Sequence, residues 1–206
     1  MVGGYPPKNK TSFFLKKFKL FNNMACDITL GRNEPCKDSV GGLRAVFFQN
    51  FSRTYTGSLN ATDEITGGFS GSTVYNYELK GNSTYTETIV TSRDNGTTAF
   101  QQVLVLNLKS LDATTTKQLK LLAYGRPQIF VQTNNGQTLL VGRINGADVT
   151  EGSIAETGAT FGDKYGYSIT FTGMEQLPAN YVSGSTVANA FAGLGANAPT
   201  VVNGTN

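Results

Sequence analysis

Residues 148–176 read DVTEGSIAETGATFGDKYGYSITFTGMEQ. Two strand-like pieces flank a loop, and the stretch closes on a strand, 167–173, of sequence YSITFTG. The stretch holds no metal-ligand set, no charge cluster and no nucleophile beside a base. Its content is β architecture.

Working back from it, 128–133 and 137–144 read as two strands around Asn134-Asn135-Gly136, with Asn135-Gly136 expected as a two-residue hairpin turn. Before them lies one helix, expected over about 112–124. Asp112 is the N-cap, Leu119, Leu122 and Ala123 form the apolar stripe, and Lys117 and Lys120 stay wet, the lysines toward its C-terminal half suiting the dipole. Gly125 is expected as a left-handed terminator, and Pro127 forbids continuation. Further back, 99–108 is the longest strand candidate, apolar on both faces at its centre and so expected mid-sheet or against a partner. Strands at 73–80 and 85–91 are expected to form a hairpin that places Tyr75, Tyr77 and Tyr85 either in the core or against a neighbouring subunit. Asp94-Asn95-Gly96 is a turn, 43–50 a strand buried on both faces, 24–42 an irregular lead-in, and 51–71 mostly loop with a short strand near 64–66.

The chain is 206 residues long, enough for one sizeable domain. No run of eighteen apolar residues occurs, so no transmembrane helix is expected. The formal charge of +3 comes from one end. Residues 1–23 carry Lys8, Lys10, Lys16, Lys17 and Lys19 and no acid; without them 12 basic residues face 14 acidic ones, a net −2. The basic balance is therefore a property of the extension and does not mark a nucleic-acid surface on the domain. Two readings of 1–23 stand: a basic arm, or a misassigned start with Met24 as the true first residue of MACDITL. The apolar piece Phe13-Phe14-Leu15 is too short for a signal-peptide core. The division expected is 1–23 as basic extension, 24–177 as a single β-rich domain, and 178–206, uncharged and rich in Ala, Gly, Asn, Ser, Thr and Val, as a low-complexity C-terminal arm.

No catalytic, cofactor-binding or metal-binding residue is assigned, and no cofactor is expected. Histidine is absent, which removes Ser-His and Cys-His pairs. Cys26 and Cys36 are expected as reduced thiols and are two ligands short of a zinc site. The carboxylates Asp63, Glu64, Glu151, Glu156 and Asp163 sit in turn-rich sequence and are expected as solvated loop groups. Gly67-Gly68-Phe69-Ser70-Gly71 lacks the lysine and helix of a phosphate loop and is expected as a flexible hairpin tip. Asp94-Asn95-Gly96 lacks the later ligands of a calcium loop. Asn-x-Thr triplets begin at Asn9, Asn60, Asn82, Asn95 and Asn203, glycosylation acceptors in a secreted chain or chance in one this rich in Asn and Thr.

Several segments carry a family resemblance: EPCKDSVGGLRAVFF at 34–48, SRDNGTT at 92–98, LKLLAYGRP at 119–127, TFTGME at 170–175 and Pro178-Ala179. Over about residues 24–185 the chain resembles virion structural proteins of tailed bacteriophages of Bacteroidetes-type hosts. Its order of strands, one helix, a hairpin and a final strand is similar to the tail-tube family. The resemblance implies a mainly β fold, a small β-sandwich or barrel with one packed α-helix and flexible N- and C-terminal arms. It implies a non-enzymatic subunit of a tail tube or tail ring, self-associating into hexameric rings in which strands of neighbouring subunits join in an inner barrel. The implied partners are copies of itself and other tail or connector proteins, with DNA passing through without sequence-specific binding. The implied location is the virion tail, assembled in the host cytoplasm. The alternative is a head-decoration or fibre-type surface-binding virion protein.

Overall fold

A computed structural model describes Ile28 and residues 30–204. The basic extension, Met24 and Cys26 lie outside the described residues. The chain divides into two units, Met1–Lys37 and Asp38–Asn206. The described part of the first has no regular secondary structure; Arg32 and Glu34 approach at 4.0 Å on exposed side chains, and Cys36 is an exposed free thiol.

The second unit is mainly β. Its strands are β1 (Leu43–Gln49), β2 (Ser58–Leu59), β3 (Ile65–Gly67), β4 (Thr73–Glu78), β5 (Thr84–Ser92), β6 (Thr97–Lys109), β7 (Gln128–Thr133), β8 (Thr138–Val141), β9 (Ala147–Glu156), β10 (Gly166–Glu175), β11 (Asn180–Tyr181) and β12 (Thr200–Asn203). One helix, α1 (Ala113–Tyr124), joins β6 to β7. The strands build a six-stranded sheet in the order β11-β8-β7-β1-β4-β12, a four-stranded sheet in the order β5-β6-β10-β9, and the small pair β2-β3. The result is a sandwich; neither sheet closes into a barrel.

The apolar run of β1 explains the layering. Alternate side chains point to opposite faces of a strand. Val46 and Phe48 enter the space between the sheets with Ile129, Val131 and Val141, meeting Leu104, Leu106, Tyr167, Ile169 and Phe171 from the four-stranded sheet. Ala45 and Phe47 point the other way, into a second core with Val74, Phe130 and Leu140. Both faces of the large sheet are therefore covered, which is why the run Ala45–Phe48 of β1 and the run Ile129–Val131 of β7 are apolar without a break.

The helix is placed by its N-terminus. Asp112 accepts from Thr114 N at 3.1 Å and Thr115 N at 2.7 Å, satisfying two of the first-turn donors. The Tyr167 hydroxyl, fully buried on β10, takes Asp112 N at 2.8 Å and lies 2.8 Å from Thr116 Oγ1, so the cap is bolted to the sheet. Leu119 is buried and Leu122 packs on the inter-sheet core, while Ala123 is exposed.

Several expectations are corrected. Gly125 is extended (φ −94°, ψ −178°), not left-handed, because the chain runs directly through Arg126 and Pro127 into β7. Neither lysine reaches the last helical turn. The β7–β8 connection is a three-residue loop, 134–136, not a two-residue turn: Thr133 pairs with Gln137, Gly136 N donates to Thr133 O at 3.0 Å, and Gly136 alone has positive φ (+87°). This is a turn closed by a left-handed glycine, the usual three-residue hairpin solution. β4 and β5 are not a hairpin. Gly81-Asn82 carries the chain from one sheet to the other, and β5 instead pairs with β6 through Asp94-Asn95-Gly96. Tyr77 consequently packs edge-on against Phe48 inside the sandwich (centroids 5.1 Å), Tyr85 is half-buried beside the same core, and Tyr75 is exposed. In the glycine-rich stretch 67–71, Phe69 is fully buried against Phe130, so the segment is an anchored loop.

The largest difference concerns the C-terminal segment. Residues 178–204, expected as an arm, cover the outer face of the six-stranded sheet. Val182, Ala190, Phe191 and Leu194 are buried in the second core with Ile65 and Phe69. The segment contributes both edges of that sheet, β11 on β8 and β12, parallel, on β4.

Candidate assembly surface

The two sheets finish their edges differently. The large sheet ends in strands of two and four residues, β11 and β12. The four-stranded sheet ends in β5, nine residues, and β9, ten residues. No strand pairs with the outer side of either, the arrangement that templates strand addition, although at the start of β9 Ala147 N already donates to Pro127 O at 2.9 Å and α1 lies against the strand. β5 has neither proline nor lysine to blunt it, and Ile89 and Val90 are exposed near its end. β9 is irregular, with register shifts opposite β10 and Gly152 at φ +149°.

The face of this sheet turned away from the core follows from register. Thr84, Val105 and Thr170 lie side by side, as do Thr86, Val103 and Thr172. Thr172 continues to Asp148 and Thr170 to Glu151 on β9, and Thr150 Oγ1 lies 3.0 Å from Thr172 Oγ1. The middle of the face is threonine and valine, its acids lie at the β9 edge, and its cations sit at one end, Lys109 at the end of β6 and Lys164, whose Nζ reaches Asn107 Oδ1 at 2.7 Å. The expected second apolar face of the 99–108 strand is thus real in composition, but Val103 and Val105 are only half-covered.

The sequence-assigned carboxylates are scattered. Glu151 is on this face. Glu156 closes on Lys164 at 2.9 Å at the far end of β9. Asp163 accepts from Ala159 N and Thr160 N, both at 2.7 Å, and these hydrogen bonds, led by that from Thr160 N, hold its carboxyl below the usual aspartate range. Glu64 accepts from Asn60 Nδ2 at 3.1 Å, and Asp63 sits at φ +59° with its carbonyl taken by Asn180. Among the described residues no three Asp, Glu or Cys side chains gather as a metal would require.

The acids that are most enclosed, Glu175 buried and Glu87 part-buried, were not singled out by the sequence. Glu175 is 6% exposed, and its Oε1 accepts from Ile144 N at 2.9 Å and Asn145 N at 2.7 Å. Glu87 Oε1 accepts from Gln102 Nε2 at 3.1 Å and Ala179 N at 2.9 Å, while Gln102 Oε1 takes Gly142 N at 2.9 Å. Burial, aided by Glu87, pushes the Tyr85 phenol above its ordinary range. Arg143 donates to Thr56 O and Asn180 Oδ1. These groups tie the 142–146 turn to the point where the chain leaves β10 for the outer layer. Their sequence signal was parity: Glu87 and Gln102 fall in register with each other, on the core side of their strands. Beside them lies a cleft of about 330 Å³ lined by Arg143, Ile144, Glu175 and Leu177. No helix among the described residues is long and apolar enough to cross a membrane.

A two-layer β-sandwich with one layer left open at both edges is the class these features define. Compared with known protein families, curated proteins and solved structures, the chain matches none.

Proposed function

We propose that this protein is a structural subunit of a phage tail tube or closely related tail ring, joined laterally through the four-stranded sheet. The observation that carries the reading is the pair of long open edges flanking a threonine-rich face that has no cation at its centre. The four strands alternate in direction, so β5 and β9 run opposite ways. A neighbour related by rotation about an axis along the strands keeps its strand directions. Its β5 then meets β9 antiparallel, and the ladder continues without a break in alternation. Six copies would contribute 24 strands. At a strand spacing of about 4.8 Å that gives a backbone diameter of roughly 37 Å, widened by strand tilt, enough for a DNA duplex. Turned inward, the threonine–valine face with Asp148 and Glu151 would let phosphates slide, whereas a basic wall would hold them. In this reading the protein works in the virion tail, contacts other tail or connector proteins, and performs no catalysis.

Negative-stain electron microscopy of the purified full chain, with light scattering in parallel, tests it. Rings or tubes of sixfold symmetry are expected. A protein that stays monomeric at high concentration, or a monomer or trimer that binds glycans saturably, overturns the reading and favours a surface-binding virion protein.

A further inference from the structure

The four-stranded sheet also differs between its two poles. At one, β9 turns into β10 through 157–165, with Phe161 fully exposed at the tip. This loop is held in shape. Asp163 takes Ala159 N and Thr160 N, Asp163 N returns to Thr160 O at 3.1 Å, and Lys164 bridges Glu156 (2.9 Å) and Asn107 (2.7 Å). A ring standing in water on a fixed loop has its ordering cost already met, which favours burial against a partner. At the other pole, about 30 Å away along ten-residue β10, lies the 330 Å³ cleft. Ile144 and Leu177, both part-exposed, supply apolar lining, and Arg143 supplies a guanidinium. A cavity of about 150 Å³ holds a benzene ring, so the space suffices for a phenyl group. A guanidinium in the wall suits an aromatic face.

We propose that Phe161 of one copy seats in this cleft of the next, a head-to-tail contact along the strand direction. Knob and hole lie on different surfaces at opposite poles. The contact is therefore heterologous and leaves a free knob and a free hole after each addition, so it builds stacks. It rests on the ring reading only for what is stacked: lateral closure uses the sheet edges, axial growth uses the poles.

The test uses the full chain carrying Phe161→Glu or Leu177→Glu, both at exposed positions, so thermal unfolding should match the parent. Stack length is read by electron microscopy and sedimentation velocity. The parent is expected to form stacks with a broad length distribution. Each variant alone should need at least about tenfold more protein to stack, while lateral rings persist. Mixing the two variants restores one joint, between the intact knob of Leu177→Glu and the intact hole of Phe161→Glu, and should yield pairs that do not extend. Variants that stack like the parent, or a parent that never associates head to tail, overturn the proposal. Loss of rings in the parent overturns the lateral reading instead.

Discussion

Replacing Phe191 by alanine measures how far the C-terminal segment belongs to the fold. Its ring is 4% exposed and stands edge-on to Phe47 (centroids 5.1 Å, 68°) and to Phe130 (5.0 Å, 85°); Phe130 in turn meets Phe69 at 5.1 Å. The ring is the link between the segment and two central strands of the six-stranded sheet, β1 and β7. Removing a buried phenyl forfeits its transfer free energy and leaves a cavity walled by neighbours that cannot collapse, costing about 3–5 kcal/mol. Domains of this kind hold about 5–15 kcal/mol in total, so the loss is a large fraction. For a chain of this size each kcal/mol moves Tm by about 2–4 °C, giving a drop of roughly 6–20 °C. Urea unfolding followed by circular dichroism and by intrinsic fluorescence should show the midpoint fall with an unchanged slope. Val201→Thr on exposed β12 is the control, expected within about 0.5 kcal/mol of the parent. A cost below about 1 kcal/mol for Phe191→Ala would refute the packing argument and return 178–206 to the status of an arm.

Tyr167→Phe removes the hydroxyl that receives Asp112 N and leaves that donor without a partner; a loss of about 1–3 kcal/mol is expected in the same urea assay. Gly136→Ala places a Cβ 2.6 Å from Val187 N at a residue with φ +87°, so destabilisation of at least about 1 kcal/mol is expected, together with faster proteolysis of the C-terminal segment. Asp112, through hydrogen bonds from the Thr115 side chain and then the Thr115 and Thr114 backbones, and Asp163, through those from Thr160 and Ala159, both titrate below ordinary aspartate. A depressed carboxyl stabilises the fold fully above the unfolded-state pKa of about 3.9 and loses that contribution as pH falls through the lower folded-state value. The urea midpoint should therefore decline below about pH 4, and Asp112→Asn, which keeps an acceptor, should flatten part of that decline; a midpoint that rises on acidification contradicts the assignment.

Where local chemistry determines an element, it was legible in the chain. Asp112 and Pro127 bracket the helix, β6 is a long run rich in β-branched and apolar residues, and the Gly136 and Gly96 turns mark two hairpins. What was not legible depends on which surfaces meet. β4 and β5 have the same alternating look whether they pair with each other or lie in opposite sheets, and nothing in Gly81-Asn82 chooses between the two. The C-terminal segment hides for a related reason. Val182, Ala190, Phe191 and Leu194 follow neither helical nor strand spacing, because outside β11, β12 and a short 3-10 helix at Ala192–Asn197 the segment lies on the sheet as irregular chain. It is held by bonds from its own backbone and from the sheet: Gln132 Nε2 to Thr186 O at 2.7 Å, Ser183 N to Ile65 O at 2.9 Å, and Thr138 N to Ser185 Oγ at 3.1 Å. The candidate assembly surface was visible as composition, since threonine alternation on 84–88 and 168–172 can be counted. That β5 and β9 are the uncovered edges is a property of topology alone.

The C-terminal segment also bears on which sheet assembles. By adding β11 and β12 it gives the six-stranded sheet two short edge strands, and by burying Phe191 and Leu194 it covers that sheet's outer face. The same segment adds no strand beside β5 or β9. A protein that covers one sheet this thoroughly and leaves the other with nine- and ten-residue open edges needs an account of why the second does not aggregate. The irregularity of β9 and the carboxylates Asp148 and Glu151 beside it offer part of one, since a flat edge-to-edge match of two β9 strands would bring like charges together. β5 bears its single charge, Glu87, on the core side, bound to Gln102 and Ala179 N, so it carries no such penalty. Pairing unlike edges is thus electrostatically cheaper than pairing β9 with itself. The unlike pairing propagates in one rotational sense, and a closed ring is the arrangement that removes both edges at once.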